Sequence, residues 1–264
     1  MTTNWKDIDQ KAKKWVLEAG DIIRKSFDSA LSIQYKSNPN DLVTNMDKEI
    51  EQYLIGKIQQ TYPDHRILGE EGYGDEVTSL EGVVWIIDPI DGTMNFVHQQ
   101  RNFAISVGIY GEGIGYVGLI FDVVHNELYH AFKGEGAYMN DIPLPKLEKV
   151  KIEEAVIGIN PVWVTENKRI DHNLIVPIVK KVRGTRSYGS AALECAYVAS
   201  GRLDAYLTMR LAPWDFAAGL VLINEVGGAA STLNGNDLDL VSKNSFFVGE
   251  SSLHHHILSD YLNK

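Results

Sequence analysis

The first part of the chain has the spacing of apolar residues that is typical of helices. Apolar side chains recur every three or four positions over residues 5–27, which predicts an amphipathic helix. The same spacing covers residues 46–58 and ends before Pro63, so we expect a second helix there. Residues 31–43 between them are rich in Ser, Asn, Asp and Pro, which favours a loop or a short hairpin.

The pattern changes to that of strands after about residue 80. Residues 83–87 read Val-Val-Trp-Ile-Ile, an uninterrupted apolar run that predicts a strand buried on both faces. The segments 103–110, 114–124 and 127–133 are rich in β-formers and are separated by Gly or Asn turns. They predict an antiparallel meander.

Strand and helix patterns alternate in the rest of the chain. The predicted strands are 155–160, 184–188, 203–208 and 245–249, and the predicted helices are 171–182, 190–200, 214–226 and 252–262. Such alternation implies an α/β protein in which helices cover the sheets. The charged stretch 145–154 is the best candidate for the junction between two halves of the chain. We therefore expect one unit over residues 1–264, with an N-terminal antiparallel-sheet half to about residue 148 and a C-terminal mixed α/β half from about residue 149.

Charge and composition exclude several classes of protein. The chain has 25 Lys and Arg against 35 Asp and Glu, and a net charge of −10 disfavours a nucleic-acid partner. The first residues contain no apolar secretory segment, and the longest apolar stretches, about eight residues, fall far short of the roughly 20 that span a membrane. Cys195 is the only cysteine, which excludes a disulfide framework and a thiolate metal cluster. We expect a cytoplasmic protein without a membrane partner.

The acidic residues are concentrated in one segment, which includes the most informative motif. Residues 47–91 hold 11 acids and 3 bases. Within this segment the predicted strand delivers Asp88 at its end, and Asp91 follows after Pro89 and Ile90. Two carboxylates this close repel each other unless a cation lies between them, and Mg²⁺ prefers carboxylate and carbonyl oxygens, such as that of Ile90. An acidic turn after a strand is the alternative.

The two residues after Asp91 suggest an anion site beside these oxygens. Gly92 lets the backbone turn tightly and exposes its N–H, and Thr93 adds a second N–H and a hydroxyl. Adjacent N–H groups form a cradle for an anion, and the cradle is stronger if a helical turn begins there. Metal-binding oxygens next to a phosphate cradle suit phosphoryl-transfer chemistry.

Two distant segments offer further carboxylates. Gly69 and Gly72 bracket Glu70 and Glu71 in one loop, and Asp215 follows Pro213 at the start of a predicted helix. A solvated loop and a plain helix cap are the alternatives for these two segments. Carboxylates from three distant chain positions are nevertheless the usual composition of a metal site.

The three segments together resemble one known family. WIIDPIDGTMNF (85–96), GEE (69–71) and PWDFAAGLVLINEVGG (213–228) resemble the inositol monophosphatase family of Mg²⁺-dependent, Li⁺-sensitive phosphatases, and the match covers nearly the whole chain. The resemblance implies a layered α/β/α/β/α fold, two or three Mg²⁺ ions per active site and a homodimer. It also implies hydrolysis of a small phosphorylated polyol, sugar or nucleotide, with inositol monophosphate as the first choice. Fructose-1,6-bisphosphatases, NADP phosphatases and 3′-phosphonucleotide phosphatases of the same superfamily stay open as alternatives, as does a non-catalytic regulatory protein.

The resemblance assigns metal ligands to individual residues. Glu70 resembles the glutamate that ligates one metal and orients the nucleophilic water. Asp88 resembles the aspartate that bridges two metals, and the carbonyl of Ile90 resembles the backbone ligand. Asp91 and Asp215 resemble the ligands of the second metal and would also contact the substrate.

The resemblance also assigns residues that activate water or bind substrate. The Thr93 hydroxyl, paired with Asp47, resembles the pair that polarises the water, and Gly92 and Thr93 resemble the phosphate cradle. The substrate's hydroxyl side would be lined by Gly189, Ser190 and Ala191. Lys36 falls in a segment that resembles the mobile active-site loop.

The chain departs from the family pattern at Thr208. Many inositol-specific members have a glutamate at this position that contacts an inositol hydroxyl, and a threonine would weaken or lose that contact. A broader range of sugar, polyol or nucleotide phosphates becomes more plausible. Trp163 and Cys195 are expected to be packing residues, and the remaining acids of the acidic segment are expected to be solvated, namely Glu49, Glu51, Asp75 and Glu76.

Overall fold

The computed structural model describes residues 3–27, 33–35 and 42–263. The helices are α1 (Trp5–Ser26), α2 (Asn45–Thr61), α3 (Thr93–Gln99), α4 (His172–Lys181), α5 (Ala191–Ala199), α6 (Pro213–Glu225) and α7 (Ser251–Ile257), with a 3₁₀ turn at Pro161–Val164 and a π-helical turn at Leu258–Leu262. The strands are β1 (Ile33–Tyr35), β2 (Leu42–Thr44), β3 (Arg66–Gly69), β4 (Val83–Asp91), β5 (Ala104–Gly111), β6 (Ile114–Asp122), β7 (Glu127–Phe132), β8 (Gly136–Met139), β9 (Ile142–Pro143), β10 (Val156–Ile159), β11 (Gly184–Arg186), β12 (Ala205–Leu211), β13 (Gly228–Ser231) and β14 (Asn244–Glu250).

The strands form two main sheets and one hairpin. The large sheet has seven strands in the order β3-β4-β5-β6-β7-β8-β9, and only β3 and β4 pair in parallel. The small sheet has the order β11-β10-β12-β14-β13, with β10 parallel to β11 and β12. Strands β1 and β2 pair antiparallel, in agreement with the predicted loop or short hairpin.

Strand β4 is buried on both faces, as its apolar run predicts. Trp85 and Ile87 pack on the side covered by α1 and α2. Val84 and Ile86 pack on the opposite side, against α5 and α6, which we call the middle layer. Fully burying one such side chain stabilises the fold by about 1.5–3 kcal/mol, so β4 anchors the large sheet between two layers of helices.

The small sheet closes the other side of the middle layer. Tyr206 and Phe246 pack towards α5 and α6. Their strand neighbours Leu207 and Phe247 face the outer helices α4 and α7. The layers are therefore α/β/α/β/α, which confirms the predicted fold class. The division into halves at residues 148 and 149 stays a prediction.

Two opposed glycines let α6 lie close to the large sheet. Gly108 of β5 and Gly118 of β6 are paired across the strands. A Cβ at Gly108 would lie 3.0 Å from the Ala217 Cβ, and one at Gly118 would overlap the Ala218 carbonyl oxygen. The distance between α6 and the sheet therefore depends on the absence of side chains at these two positions.

The sequence pattern missed the short elements. Helix α3 and strands β3, β8, β9 and β13 were not predicted as elements, because runs of two to seven residues carry little periodicity. Strand β4 continues to Asp91, beyond the predicted apolar run. Within the described ranges, no helix is both long and apolar enough for a membrane crossing.

Candidate active site

A bulge in β4 brings Asp88 and Asp91 to the same face of the large sheet. Asp88 lies opposite Ser106 and Asp91 lies opposite Ala104, so three steps on β4 match two on β5. Side chains three positions apart on a regular strand would point to opposite faces, and the extra residue reverses this. Both carboxylates therefore face the middle layer. Pro89 in the strand is the signal that could have predicted the bulge.

Asp215 completes a group of three carboxylates. Helix α6 begins with Pro213, and Asp215 Oδ2 accepts a hydrogen bond from the Ala212 N–H at 2.7 Å. One oxygen from each of Asp88, Asp91 and Asp215 lies within 4.8 Å of the others. Asp215 is thus both the cap of α6 and a member of the carboxylate group.

The carboxylate group has the electrostatics of a cation site. Asp88 is only 1% exposed and Asp91 is buried, while Asp215 is partly buried. Burial, reinforced by the neighbouring acids, raises the pKa of Asp88 and of Asp215 well above the ordinary aspartate value. Among the residues that the structure describes, no lysine, arginine or histidine forms an ion pair with the three. Unpaired carboxylates in a protein interior fit a hard divalent cation such as Mg²⁺.

Glu70 lies beside this group. The parallel pairing of β3 and β4 places Gly69 opposite Ile87, and the Glu70 N–H donates to the Ile87 carbonyl at 3.2 Å. The Glu70 charge, after burial, is the next cause of the raised pKa of Asp88. The sheet pairing thus brings together two carboxylates that are 18 residues apart in the chain.

Asp47 and Thr93 are in direct contact. Thr44 caps α2, and its N–H and its hydroxyl both donate to Asp47 Oδ2, at 2.7 and 2.6 Å. The Thr93 hydroxyl lies 3.0 Å from Asp47 Oδ1 and 3.1 Å from the Ile90 carbonyl oxygen, so its single proton can reach either. Burial raises the pKa of Asp47, although the bonds from Thr44 and Thr93 oppose this.

Gly92 and Thr93 form the start of helix α3. Gly92 has φ 95°, a left-handed conformation that favours glycine. A Cβ there would lie 3.1 Å from the Asn102 carbonyl oxygen and 3.2 Å from the Ser190 Cβ. The amides of the first helical turn have no partner within a helix, so they are available to an anion.

The start of α5 fixes Asp91. The Ser190 hydroxyl donates to Asp91 Oδ2, and the Ala192 N–H donates to the same oxygen at 2.7 Å. These bonds partly oppose the effect of burial, which raises the pKa of Asp91. The family resemblance placed Gly189, Ser190 and Ala191 beside the substrate, but the support that Ser190 and Ala192 give to Asp91 was missed.

A cavity of about 240 Å³ adjoins the carboxylate group. Its walls consist of Asp91, Asn160, Trp163, Ser187, Gly189, Ser190, Ala191, Glu194, Tyr206, Thr208, Leu211 and Asp215. Trp163 is more than the packing residue that the sequence predicted, because it lines this cavity and its indole N–H donates to Thr208 Oγ1 at 3.2 Å. Thr208 therefore orients an aromatic side chain in the wall of the cavity.

The sequence pattern also missed Glu194. Its Oε1 accepts a hydrogen bond from the Tyr188 N–H at 2.7 Å, and burial raises its pKa to about 7. Among the described residues, its Oε2 has no hydrogen-bond partner. Glu194 thus supports the loop that leads into Ser190.

One of the four acids is not solvated as predicted. Glu51 is 0% exposed, because its carboxylate accepts hydrogen bonds from loop N–H groups. Asp75 is exposed, as predicted, and also accepts a hydrogen bond from the Ile67 N–H at 2.8 Å. Glu49 and Glu76 are exposed and Cys195 is buried, as predicted. Lys36 lies outside the described residues.

The chain is similar to known proteins over nearly its whole length. The profile of the inositol monophosphatase family matches residues 4–263. Inositol-1-monophosphatase from Bacillus subtilis (strain 168) is 62% identical over 261 residues, which cover 99% of this chain and 98% of that protein.

Solved structures extend the comparison. The structure of SaIMPase-II with inositol monophosphate bound is 45% identical, with a TM-score of 0.88, over 97% of this chain and 93% of that one. SaIMPase-II with 2′-AMP bound is 47% identical, with a TM-score of 0.88, over 95% and 92%. An IMPase/NADP phosphatase complexed with Mg²⁺ and phosphate is 27% identical, with a TM-score of 0.89, over 97% and 95%.

These matches extend over nearly the full length of the chain and include the strands and helices that carry the carboxylates. They confirm the predicted resemblance and the predicted enzyme class, a phosphoric monoester hydrolase that depends on a divalent metal. The chain belongs to the inositol monophosphatase family.

Proposed function

We propose that the chain hydrolyses inositol monophosphate to inositol and phosphate, with Mg²⁺ bound by the carboxylates at the end of β4. The observation that carries the proposal is the group of Asp88, Asp91 and Asp215, whose oxygens lie within 4.8 Å of one another beside a cavity. Such a group is costly to bury without a cation.

Five residues would hold the metal. Asp88, Glu70 and the Ile90 carbonyl would ligate one ion, and Asp88, Asp91 and Asp215 a second, with two or three ions in all. When bound, Mg²⁺ would make a water more acidic and neutralise the charge that develops on the leaving oxygen.

Thr93 and Asp47 would orient the attacking water. Asp47 Oδ1 accepts the proton of the Thr93 hydroxyl, which leaves the lone pairs of Thr93 Oγ1 free to accept a hydrogen bond from water. The water proton would then pass towards Thr93 Oγ1 and Asp47, whose raised pKa makes the carboxylate a better acceptor. The N–H groups of Gly92 and Thr93 would bind the phosphate oxygens.

The alcohol part of the substrate would occupy the cavity beside Gly189, Ser190 and Ala191. A volume of about 240 Å³ suits a group the size of a polyol ring. A nucleoside 2′-monophosphate is the second candidate, because SaIMPase-II binds 2′-AMP and because Thr208 and Trp163 make one wall uncharged and aromatic. Fructose-1,6-bisphosphate and NADP have no specific observation in their favour.

We place the enzyme in the cytoplasm as a homodimer. The cytoplasm is favoured by the single cysteine, and the dimer by the family resemblance. Light scattering of the purified protein would measure its mass against the 29.5 kDa of one chain.

Phosphate release from a panel of substrates tests the proposal. We expect Mg²⁺-dependent, Li⁺-inhibited release, with kcat/KM highest for inositol 1-phosphate, next for 2′-AMP, and lower for fructose 1,6-bisphosphate, NADP and phosphoadenosine phosphate. Equal rates with and without Mg²⁺ would contradict the metal site. A kcat/KM that is highest for fructose 1,6-bisphosphate or NADP would contradict the substrate.

A further inference from the structure

Glu51 is a buried acid that the proposed reaction does not use. It lies on α2 four residues after Asp47, so the two side chains leave the same face of the helix. Asp47 reaches Thr93, whereas Glu51 reaches the loop that follows β3. One face of α2 thus contacts both Thr93 and the loop that contains Glu70.

The Glu51 carboxylate binds the backbone N–H groups of residues that follow Glu70 in the chain. Glu51 Oε2 accepts a hydrogen bond from the Glu71 N–H at 2.8 Å, and Oε1 accepts one from the Tyr73 N–H at 3.0 Å. The Glu70 N–H itself is bound to the Ile87 carbonyl of β4. Glu70 is therefore fixed between the sheet and the Glu51 carboxylate.

Gly69 shows how closely the carboxylate fits the loop. A Cβ added at Gly69 would lie 2.6 Å from Glu51 Oε1 and 2.7 Å from Oε2. Real side chains essentially never approach so closely, so any other residue at position 69 would displace the carboxylate or the strand end. The absence of a side chain at Gly69 thus leaves the space that the Glu51 carboxylate occupies.

A carboxyl group in this place needs a reason, because Glu51 is 0% exposed. A buried carboxylate is costly, and an uncharged side chain would fill the space at lower cost to folding. An ionised carboxylate, however, offers acceptors on both oxygens, and N–H groups bind charged acceptors more strongly than neutral ones. Both oxygens are in fact used by the loop.

We propose that Glu51 is a positioning residue that holds Glu70 in place to bind the metal. The inference rests on the proposed role of Glu70 as a ligand. Residues that orient metal ligands typically change metal affinity by about 10- to 100-fold when they are replaced. Glu51→Gln replaces one acceptor by an NH₂ group, so one loop N–H then faces a donor.

Direct metal binding and amide exchange test the proposal. By calorimetry, we expect Glu51→Gln to bind Mg²⁺ about tenfold or more weakly than the wild type. In the metal-free protein, the amides of Glu71 and Tyr73 should exchange faster. Glu49→Gln, an exposed acid on the same helix, is the matched control and should change neither measurement. Unchanged Mg²⁺ binding in Glu51→Gln would overturn the proposal, and so would unchanged exchange.

A double-mutant cycle shows whether Glu51 acts through Glu70. In a Glu70→Gln background, Glu51→Gln should weaken Mg²⁺ binding no further. An equal loss in both backgrounds would overturn the positioning role. If wild-type protein binds no Mg²⁺, the proposed function fails, whereas tight wild-type binding that Glu51→Gln retains refutes only the role of Glu51.

A second variant applies if Glu51→Gln does not fold. Gly69→Ala leaves the carboxylate present but pushes against it, and it should also weaken Mg²⁺ binding. Glu51→Asp shortens the side chain and should partly restore binding in the Gly69→Ala protein. If Glu51→Asp does not restore Mg²⁺ binding in the Gly69→Ala protein, the close fit between Gly69 and Glu51 does not explain the weaker binding of Gly69→Ala.

Discussion

Replacing Asp88 by Asn should make the metal-free protein more stable while it abolishes turnover. Asp88, Asp91 and Asp215 lie within 4.8 Å of one another, and two ionised groups at that distance repel by about 3.5 kcal/mol at an effective dielectric constant of 20. Asp88→Asn removes the repulsion with both neighbours. The raised pKa values show that partial protonation already relieves part of it, so we expect a gain of about 2–4 kcal/mol at pH 8.

The gain should depend on pH in a defined direction. Because the folded-state pKa of Asp88 is raised, the metal-free native protein holds a proton that the unfolded chain releases. The stabilisation that this bound proton provides is complete below the ordinary aspartate pKa and is lost as the pH rises through the folded-state pKa of Asp88. Asp88→Asn does not undergo this loss, so its advantage should be larger at pH 8 than at pH 5.

Thermal unfolding in EDTA and in Mg²⁺ measures the effect. At roughly 2–4 °C per kcal/mol for a protein of this size, the Tm of Asp88→Asn in EDTA should rise by about 5 °C or more. Mg²⁺ should raise the Tm of the wild type but not that of the variant, and Mg²⁺-dependent phosphate release by the variant should fall by orders of magnitude.

Another buried aspartate provides the control. Asp122 is 0% exposed, lies outside the site and accepts hydrogen bonds from the Val124 and His125 N–H groups. Asp122→Asn should not raise the Tm in EDTA and should keep the response to Mg²⁺. A lower Tm for Asp88→Asn in EDTA, or an undiminished response to Mg²⁺, would refute the electrostatic reasoning.

Three other substitutions test separate parts of the structure. Thr93→Val removes the hydroxyl that contacts Asp47 and should lower kcat by about 10²- to 10⁴-fold with little change in Mg²⁺ binding. Thr93→Ser keeps a hydroxyl and should retain most of the rate. Equal rates for the two variants would contradict a role for the hydroxyl. Glu194→Gln removes a carboxyl group whose pKa is raised to about 7, so the wild type loses stability as the pH rises through that value. The Tm of Glu194→Gln should therefore exceed that of the wild type at pH 9 and converge with it at pH 5. The same Tm difference between the two proteins at every pH would count against the buried charge. Gly118→Ala places a Cβ against the Ala218 carbonyl and should lower the free energy of unfolding in urea by about 1–3 kcal/mol, and an unchanged midpoint would show that α6 can move aside.

The long helices and strands could be predicted because long, periodic segments carry a strong signal, whereas the order of the layers was implied by the family resemblance. The helices at both ends of the sequence and the run in β4 are where the pattern placed them, and the alternating apolar positions agree with three packed cores. The short strands could not be predicted, since pairing with neighbours rather than their own residues determines them.

The site could be predicted only in part, because its geometry depends on contacts between distant segments. Asp47 and Thr93 are 46 residues apart, and the family resemblance, not the local pattern of either residue, indicated that they meet. The local signal for Glu51 was present, since it shares the buried face of α2 with Asp47, Ile50 and Leu54. An acid on the apolar face of a predicted helix indicates a buried partner, and the partner here is the backbone of the Glu70 loop.

The bulge in β4 makes the site sensitive to the length of the chain as well as to its residues. Asp88 and Asp91 face the same layer only because one strand has a residue more than its neighbour. One more residue in β5 between Ala104 and Ser106 would match three steps against three, and the regular ladder would turn Asp91 towards α1 and α2, with every acid still present in the sequence. A relative with all the motif residues but one residue inserted between the positions of Ala104 and Ser106 would therefore have lost the proposed metal site, and counting conserved acids would not reveal it.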